Sequence, residues 1–584
     1  MFRKRLVAVS MVASLVLSGT FVRTSHAQEV IDLDDAAPAK KPAGGAKKPA
    51  GKKGGVDIDL DEGQPAASGA AAVTAGQMTE SAAAAKQLFD KEKWSEAAQA
   101  LHRVVSGETG DDSGNKQLAE YYLAICLYRL KFYQASYAIF SVVADNPNHL
   151  KFKETLLWLA KLALQLPEPA DIIERVGKYT DEQVARFDNP QQRELYWQLN
   201  YMLGRYKYRN RQYEDAIRLF QMVDRNSPHY VKSQFFAGIS YVQLRKSIPG
   251  VKAFQRILKA MDEGVEGVDD EDRMRDLANL SIARTYYSAS ITLDAETNAP
   301  NVNSTKLSAA VKYWNSVDET SEYWLDALFE ESWAYFMAGD YPHALGNIHT
   351  IEAPYFPNSF HPEADILKAV IYFTNCNYDA ATITVARFHK KYVPIRDELK
   401  KVLAKYSGQN QEEPFFKFLL QIREGKGDLD ERIRPIVENA MGDRQLLRNI
   451  DYVRLLEEED KRFHKAPSSF QSSGLGQQVS DALKLARDLA VRQAGELALQ
   501  RYRRNVDELE EHMRNGEKIL IDITAAQRNI LDTKIQTGQV SKAEAKIYGV
   551  VKPDEEHVIW PFNGEYWRDE LGYYRQSISS KCGR

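Results

Sequence analysis

The chain has 584 residues, of which 27% are charged and 44% hydrophobic, and its formal net charge is −4. That length holds several structural regions, the charge balance excludes a strongly basic nucleic-acid binder, and the charged share is that of an ordinary soluble surface. Only three cysteines are present, Cys126, Cys376 and Cys582, too few for a disulfide framework and without the spacing of a zinc site.

The first residues read as an export signal. Arg3, Lys4 and Arg5 precede an apolar run from Leu6 to Leu17, and Ser25-His26-Ala27 offers small residues for cleavage after Ala27. No cysteine follows the run to take a lipid anchor. The bacterial look of residues 1–27 predicts a periplasmic protein, with outer-membrane association left open. Residues 28–79 are then a Lys/Ala/Pro/Gly tether with too little apolar surface to fold. Two acidic-apolar pieces, Val30–Asp35 and Val56–Asp61, flank its lysines. They read as a solvated charge run or as a duplicated peptide ligand. Asp57, Asp59 and Asp61 do not make a calcium loop, because Glu62 and Ser68 stand where it needs Gly and Glu.

Residues 80–394 carry a repeat. Leu203-Gly204, Ala216 and Phe220 recur 34 positions later as Ala237-Gly238, Gly250 and Phe254. Earlier units run through Ala85, Trp94, Ala97 and Leu101, and through Leu123-Ala124, Tyr133, Ser136 and Phe140. Later ones run through Ile282-Ala283 to Trp314, with an insertion over about 291–305, then Gly339 to Ile348, then Ala369 to Val385. Residues 151–190 are a degenerate helical unit. This spacing resembles the tetratricopeptide repeat family, with about seven units. The resemblance implies an all-α solenoid of paired helices, whose small and aromatic positions are packing positions, and whose first helices line a groove that binds proteins.

In that register the groove positions are Tyr121, Tyr128, Arg129, Tyr201, Arg205, Tyr208, Arg209, Arg284, Tyr287, Phe329 and Trp333. Arginine forks and tyrosine rings suit an extended acidic segment with apolar anchors. The same side chains would equally serve intramolecular salt bridges. On the groove reading, replacing Arg205 and Arg209 with glutamate removes partner capture without unfolding.

Residues 395–470 read as a charged helical extension, with Ser468 to Gly476 as a linker. Residues 471–535 read as one long helix. Leu499, Tyr502, Val506, Leu509, Met513, Gly516, Leu520, Ile523 and Ile530 follow a heptad seam. It serves either a homodimer through 499–530 or a pairing folded back on the chain. Residues 536–584 hold an aromatic element, with Trp560, Phe562, Tyr566, Trp567, Tyr573 and Tyr574. It caps the helices or docks a partner. Cys126 is expected to pack apolar, and Cys582 to be an exposed thiol.

There is no G-x-S-x-G, H-E-x-x-H or G-x-x-x-x-G-K motif. His343, His349, His361 and His389 crowd one stretch without metal-ligand regularity. The expectation is a non-enzymatic scaffold without cofactor or metal, whose partners are envelope proteins and not nucleic acid. The layout of signal, tether, repeats and the tail Trp560-Pro561-Phe562…Tyr566-Trp567…Leu571-Gly572-Tyr573-Tyr574 is similar to the periplasmic tetratricopeptide proteins of myxobacterial gliding machinery. That similarity implies a subunit of an envelope-spanning complex. The alternative is an outer-membrane-assembly or cell-wall factor, by the aromatic-proline end of Tyr378 to Pro394.

Overall fold

The computed structural model describes residues 73–537, apart from 266, 269, 295–299, 358 and 427–428, and residues 553–582. The export signal, the lysine tract and both acidic-apolar pieces lie outside the described residues. Two compact units are formed. Among the described residues, one contains 73–190 with Arg454–Arg487, and the other contains Gln191–Val453 with 488–537 and 553–582.

The fold is all-α. The first unit begins with α1 (Glu80–Asp90) and α2 (Trp94–Val105), then α3 (Ser113–Arg129) and α4 (Tyr133–Asp145). The degenerate stretch gives α5 (Phe152–Ala163) and the short α6 (Ile172–Val176) and α7 (Asp181–Ala185). The second unit holds α8 (Arg193–Arg209), α9 (Tyr213–Gln221), α10 (Tyr230–Gln243), α11 (Ser247–Asp262) and α12 (Glu271–Ser290). The predicted insertion forms a two-stranded antiparallel ladder, β1 (Ile291–Leu293) with β2 (Pro300–Val302). Then come α13 (Ser304–Trp314), α14 (Trp324–Ala338), α15 (Tyr341–Ile351), α16 (Pro362–Thr374) and α17 (Tyr378–Lys405).

One turn type closes most of the hairpins. Glu92, Lys131, Arg211, Arg245, Gly339 and Cys376 all have left-handed φ, between 56° and 78°. At each, the next residue donates its N–H five positions back, as Gln212 does to Lys207 and Asn377 to Tyr372, both at 2.9 Å. This is the Schellman arrangement, which satisfies carbonyls left open at a helix end. The 34-residue signal is steric. A Cβ on Gly204 would lie 2.7 Å from the Phe220 ring, and one on Gly238 would lie 2.5 Å from Phe254. The paired helices therefore approach only because a hydrogen replaces a side chain.

Beyond the hairpins lie α18 (Glu412–Arg423), α19 (Arg434–Met441), α20 (Arg444–His464), α21 (Ser468–Gln471) and α22 (Gly474–Thr537). Two sequence expectations change here. First, Pro394 does not end a repeat, for α17 runs through it to Lys405. An interior proline costs about 3 kcal/mol, and the buried Tyr392, Leu399 and Val402 offset it by continuing the apolar face. Second, Ser468 to Gly476 is not an open linker. Phe470 is buried and stacks on Phe132 at 5.9 Å, and α22 starts at Gly474. In that unit, buried Glu459 accepts the N–H groups of Tyr133 and Gln134 at the start of α4, at 3.1 and 3.2 Å.

Candidate partner-binding surfaces

The groove positions expected from the sequence divide between the two units. In the first unit, Tyr121 is buried and its hydroxyl accepts from Trp158 Nε1 at 3.0 Å. Tyr128 lies between Tyr133 and Trp158, each ring 5.3 Å away. Arg129 is exposed, its guanidinium 5.6 Å from the Trp94 ring.

In the second unit Arg205 is only 1% exposed. Its Nη1 donates to Tyr201 Oη at 3.1 Å, and its guanidinium sits 4.2 Å from the Phe236 centroid. Tyr201 stacks on His229, and Tyr208 packs against Phe236 at 5.4 Å. Arg209, one turn on, is exposed. Arg284 grips Glu330 through Nε at 2.9 Å and Nη2 at 2.6 Å, and Trp314 Nε1 donates to the same carboxylate at 3.1 Å. Tyr287 is half-buried against Trp314, while Phe329 and Trp333 are buried. The structure therefore brings Tyr201, Arg205 and Tyr208 together around Phe236. It spends Arg205 and Arg284 on internal partners. The double Arg205/Arg209 substitution is corrected as a clean test, because a glutamate at buried Arg205 would strike the fold itself.

The heptad seam packs within the chain. Leu499, Tyr502, Val506, Leu509, Met513 and Ile523 are buried. Tyr502 donates to the Val437 carbonyl at 3.0 Å and meets Phe415 edge-on at 5.4 Å. A Cβ on Gly495 would collide with the Glu412 backbone, and one on Gly516 would lie 3.1 Å from Val385. Of the two alternatives for the seam, folding back is the one observed from Leu499 to Met513 and at Ile523, while Leu520 and Ile530 are half-buried. Half-buried Glu363 on α16 lies near Glu508 and Glu511 of α22. Burial first, then those two carboxylates, push its pKa up to about 8.

The aromatic element is described from 553 to 582 and belongs to the second unit. Trp560 and Trp567 stack at 4.5 Å. His349 on α15 meets Phe562 and Tyr566 at 4.6 Å each and Tyr574 at 5.1 Å. Tyr574 donates to the Trp567 carbonyl at 3.0 Å, and Tyr573 donates to Glu319 at 3.3 Å. Tyr355 donates to the Tyr566 carbonyl at 2.8 Å. Leu571, Tyr574 and Ile578 are buried, whereas Val558, Ile559, Phe562, Trp567 and Tyr573 stay exposed. Asp554, Glu555, Glu556, Asp569 and Glu570 are exposed around them. The element thus covers helices on one side and presents an acidic, aromatic surface on the other.

Sequence reading missed what fastens this element. Cys376, at the left-handed turn between α16 and α17, is disulfide-bonded to Cys582, 206 positions away. Cys582 is therefore not a free thiol. Lys581 donates its N–H to the Asn375 carbonyl at 2.9 Å and sets the two sulfurs beside each other. Nothing in either cysteine's local sequence marks the pairing. Cys126 is buried and free, and burial pushes its thiol up to about 12. The four crowded histidines separate into different surroundings. His343 pairs with Asp340 at 2.7 Å, His349 faces the aromatic element, His361 lies 3.8 Å from Asp326, and His389 adjoins Phe388. Among the described residues, no helix is long and apolar enough to cross a membrane.

No protein-family model matches this chain, and no curated protein matches it. Solved structures give low-scoring similarities. The apo form of RapI is 13% identical, with a TM-score of 0.28, over 70% of this chain and 96% of its own. A Rap protein complexed with Competence and Sporulation Factor is 14% identical, with a TM-score of 0.24, over 70% and 98%. A circular tandem repeat protein with novel repeat topology is 14% identical, with a TM-score of 0.11, over 78% and 100%. The repeat architecture stands on the hairpins themselves.

Proposed function

We propose that this chain is an exported, non-enzymatic scaffold of the tetratricopeptide type that holds protein partners in the periplasm. The observation that carries this reading is the fastened aromatic element. Exposed Val558, Ile559, Phe562, Trp567 and Tyr573 are held against helices by buried anchors and a disulfide. Large apolar side chains fixed on a folded surface cost solvation unless a partner covers them. The disulfide supports export, because such bridges persist in oxidising compartments. It agrees with the signal read over residues 1–27. The layout further supports membership of an envelope-spanning complex such as a myxobacterial gliding machine. In the groove, exposed Arg129 and Arg209 are the positions that would meet an acidic segment.

The test is cross-linking of the tagged mature protein in native cells, followed by mass spectrometry. Cross-links from residues 558–573 to inner- and outer-membrane proteins are the expected result. Recovery of the protein in the cytoplasm, or without any protein partner, would overturn the reading.

A further inference from the structure

We propose that the outer face of α15 and the α16–α17 turn form a groove for an extended polypeptide, that residues 571–582 are its resident occupant, and that the Cys376–Cys582 bridge is the lock on it. The proposal rests on the fastening geometry alone, independently of where the protein resides or what it assembles with.

The strap lies as a bound peptide lies. Leu571 is buried in a turn over 571–573, and from Tyr573 the burial alternates, with Tyr574 and Ile578 inward and Tyr573, Arg575, Ser577 and Ser579 outward. Hydrogen bonds hold its backbone on both sides of Tyr574. Gly572 N–H donates to Thr350 Oγ1 at 3.0 Å, and Gln576 N–H donates to the Pro342 carbonyl at 3.0 Å. Asn377 Nδ2 donates to the Ser579 carbonyl at 2.8 Å. Main-chain bonds with alternate side chains in pockets are the usual means of holding an extended segment.

The receiving surface is shaped for it. Pro342, Gly346 and Thr350 lie one turn apart on α15. A Cβ on Gly346 would occupy the place of the Tyr574 carbonyl. Gly572, at φ +88°, crosses the edge of Trp324 where a Cβ would lie 3.1 Å from the indole. The groove therefore selects a segment with apolar, aromatic and apolar anchors spaced as Leu571, Tyr574 and Ile578, and a glycine beside the first.

The lock is accessible. Cys582 is exposed and Cys376 half-buried. A dithiol of the CXXC oxidoreductase class would attack Cys582 Sγ, form a mixed disulfide there and release Cys376 as the leaving thiolate. Its second thiol then resolves the mixed disulfide. Two electrons and two protons end on Cys376 and Cys582, and the dithiol leaves as a disulfide. Once free, the strap stays in place only by its noncovalent contacts, and a competing segment can enter.

Two measurements on the full-length protein test this. Hydrogen exchange read by mass spectrometry, with and without a small dithiol, should show residues 571–582 and 342–350 losing at least tenfold of their protection on reduction. Cys582→Ser should match the reduced protein and ignore the reductant. A labelled synthetic peptide of residues 568–581 should bind Cys582→Ser at least tenfold tighter than the oxidised protein, by fluorescence anisotropy. Gly346→Leu, added to Cys582→Ser, should abolish that binding. Unchanged protection on reduction would overturn the lock. Equal peptide binding by oxidised and Cys582→Ser proteins, or none by either, would overturn the groove.

Discussion

Two glycine contacts in the second unit show how differently the same device is used. Gly238 admits the ring of Phe254, sixteen positions later in its own hairpin, whereas Gly346 admits the backbone of Tyr574, more than two hundred positions later. In the first case the glycine is part of a repeat, and its partner is supplied by the same unit. In the second it is a vacancy in a repeat that another part of the chain occupies. One contact builds the array, and the other attaches something to it.

The largest effect is expected where the array is built. Arg205→Glu places an unpaired anion beside Phe236 and Tyr201, and should destabilise the protein by about 3–5 kcal/mol. Arg209→Glu, on the exposed next turn, should cost far less, under about 1 kcal/mol, because an exposed charge contact is worth little. Chemical denaturation of both variants separates a packing arginine from a surface one. Next, Gly238→Val should lower stability by about 2–3 kcal/mol through overpacking against Phe254. Gly346→Val should lose protection only around residues 342–350 and 571–582, because it displaces the strap rather than opening the hairpin.

A smaller effect concerns Glu331, beneath the strapped helix. It is 2% exposed and Asn347 Nδ2 donates to it at 2.8 Å. Burial pushes its pKa up to about 7. A carboxyl raised above its unfolded value stabilises fully below the unfolded pKa, and that contribution fades as pH rises through the folded one. Stability should therefore fall between pH 4.5 and 8. Glu331→Gln should flatten the curve by about 1–3 kcal/mol over that range, seen in melts at successive pH values. Only a small change in stability is expected for Trp567→Ala with Tyr573→Ala. It should stay within about 1 kcal/mol, yet partner capture from cells should be lost if these exposed rings are the docking surface.

The comparison also explains what was legible in sequence. Gly204, Gly238, Phe220 and Phe254 are visible because repetition amplifies a local steric rule. The all-α class and the long helix follow from periodicity in the same way. Arg205 was misplaced as a groove residue because register gives the side of a helix, not the neighbour that fills the space beside it. The folded-back seam at Tyr502 and Gly516 depended on where Phe415 and Val385 would arrive. The Cys376–Cys582 bridge was illegible for a stronger reason. It joins a turn and a tail whose encounter is set by the Lys581 N–H on the Asn375 carbonyl and the Asn377 side-chain amide on the Ser579 carbonyl, contacts between distant segments that no local pattern encodes. Pro394 misled in the opposite direction, since local backbone preference gave way to the buried face beyond it.

One consequence follows from the turns themselves. The left-handed position between paired helices holds Glu92, Lys131, Arg211, Arg245, Gly339 and Cys376. Proline and β-branched residues are disfavoured at such a φ, but among the rest the side chain has no required role in the hairpin, because the backbone closes it. An unbranched polar or thiol side chain can therefore be installed at any of these corners without rewriting the framework. In evolutionary terms the array carries a row of interchangeable sockets, of which Cys376 is one already wired.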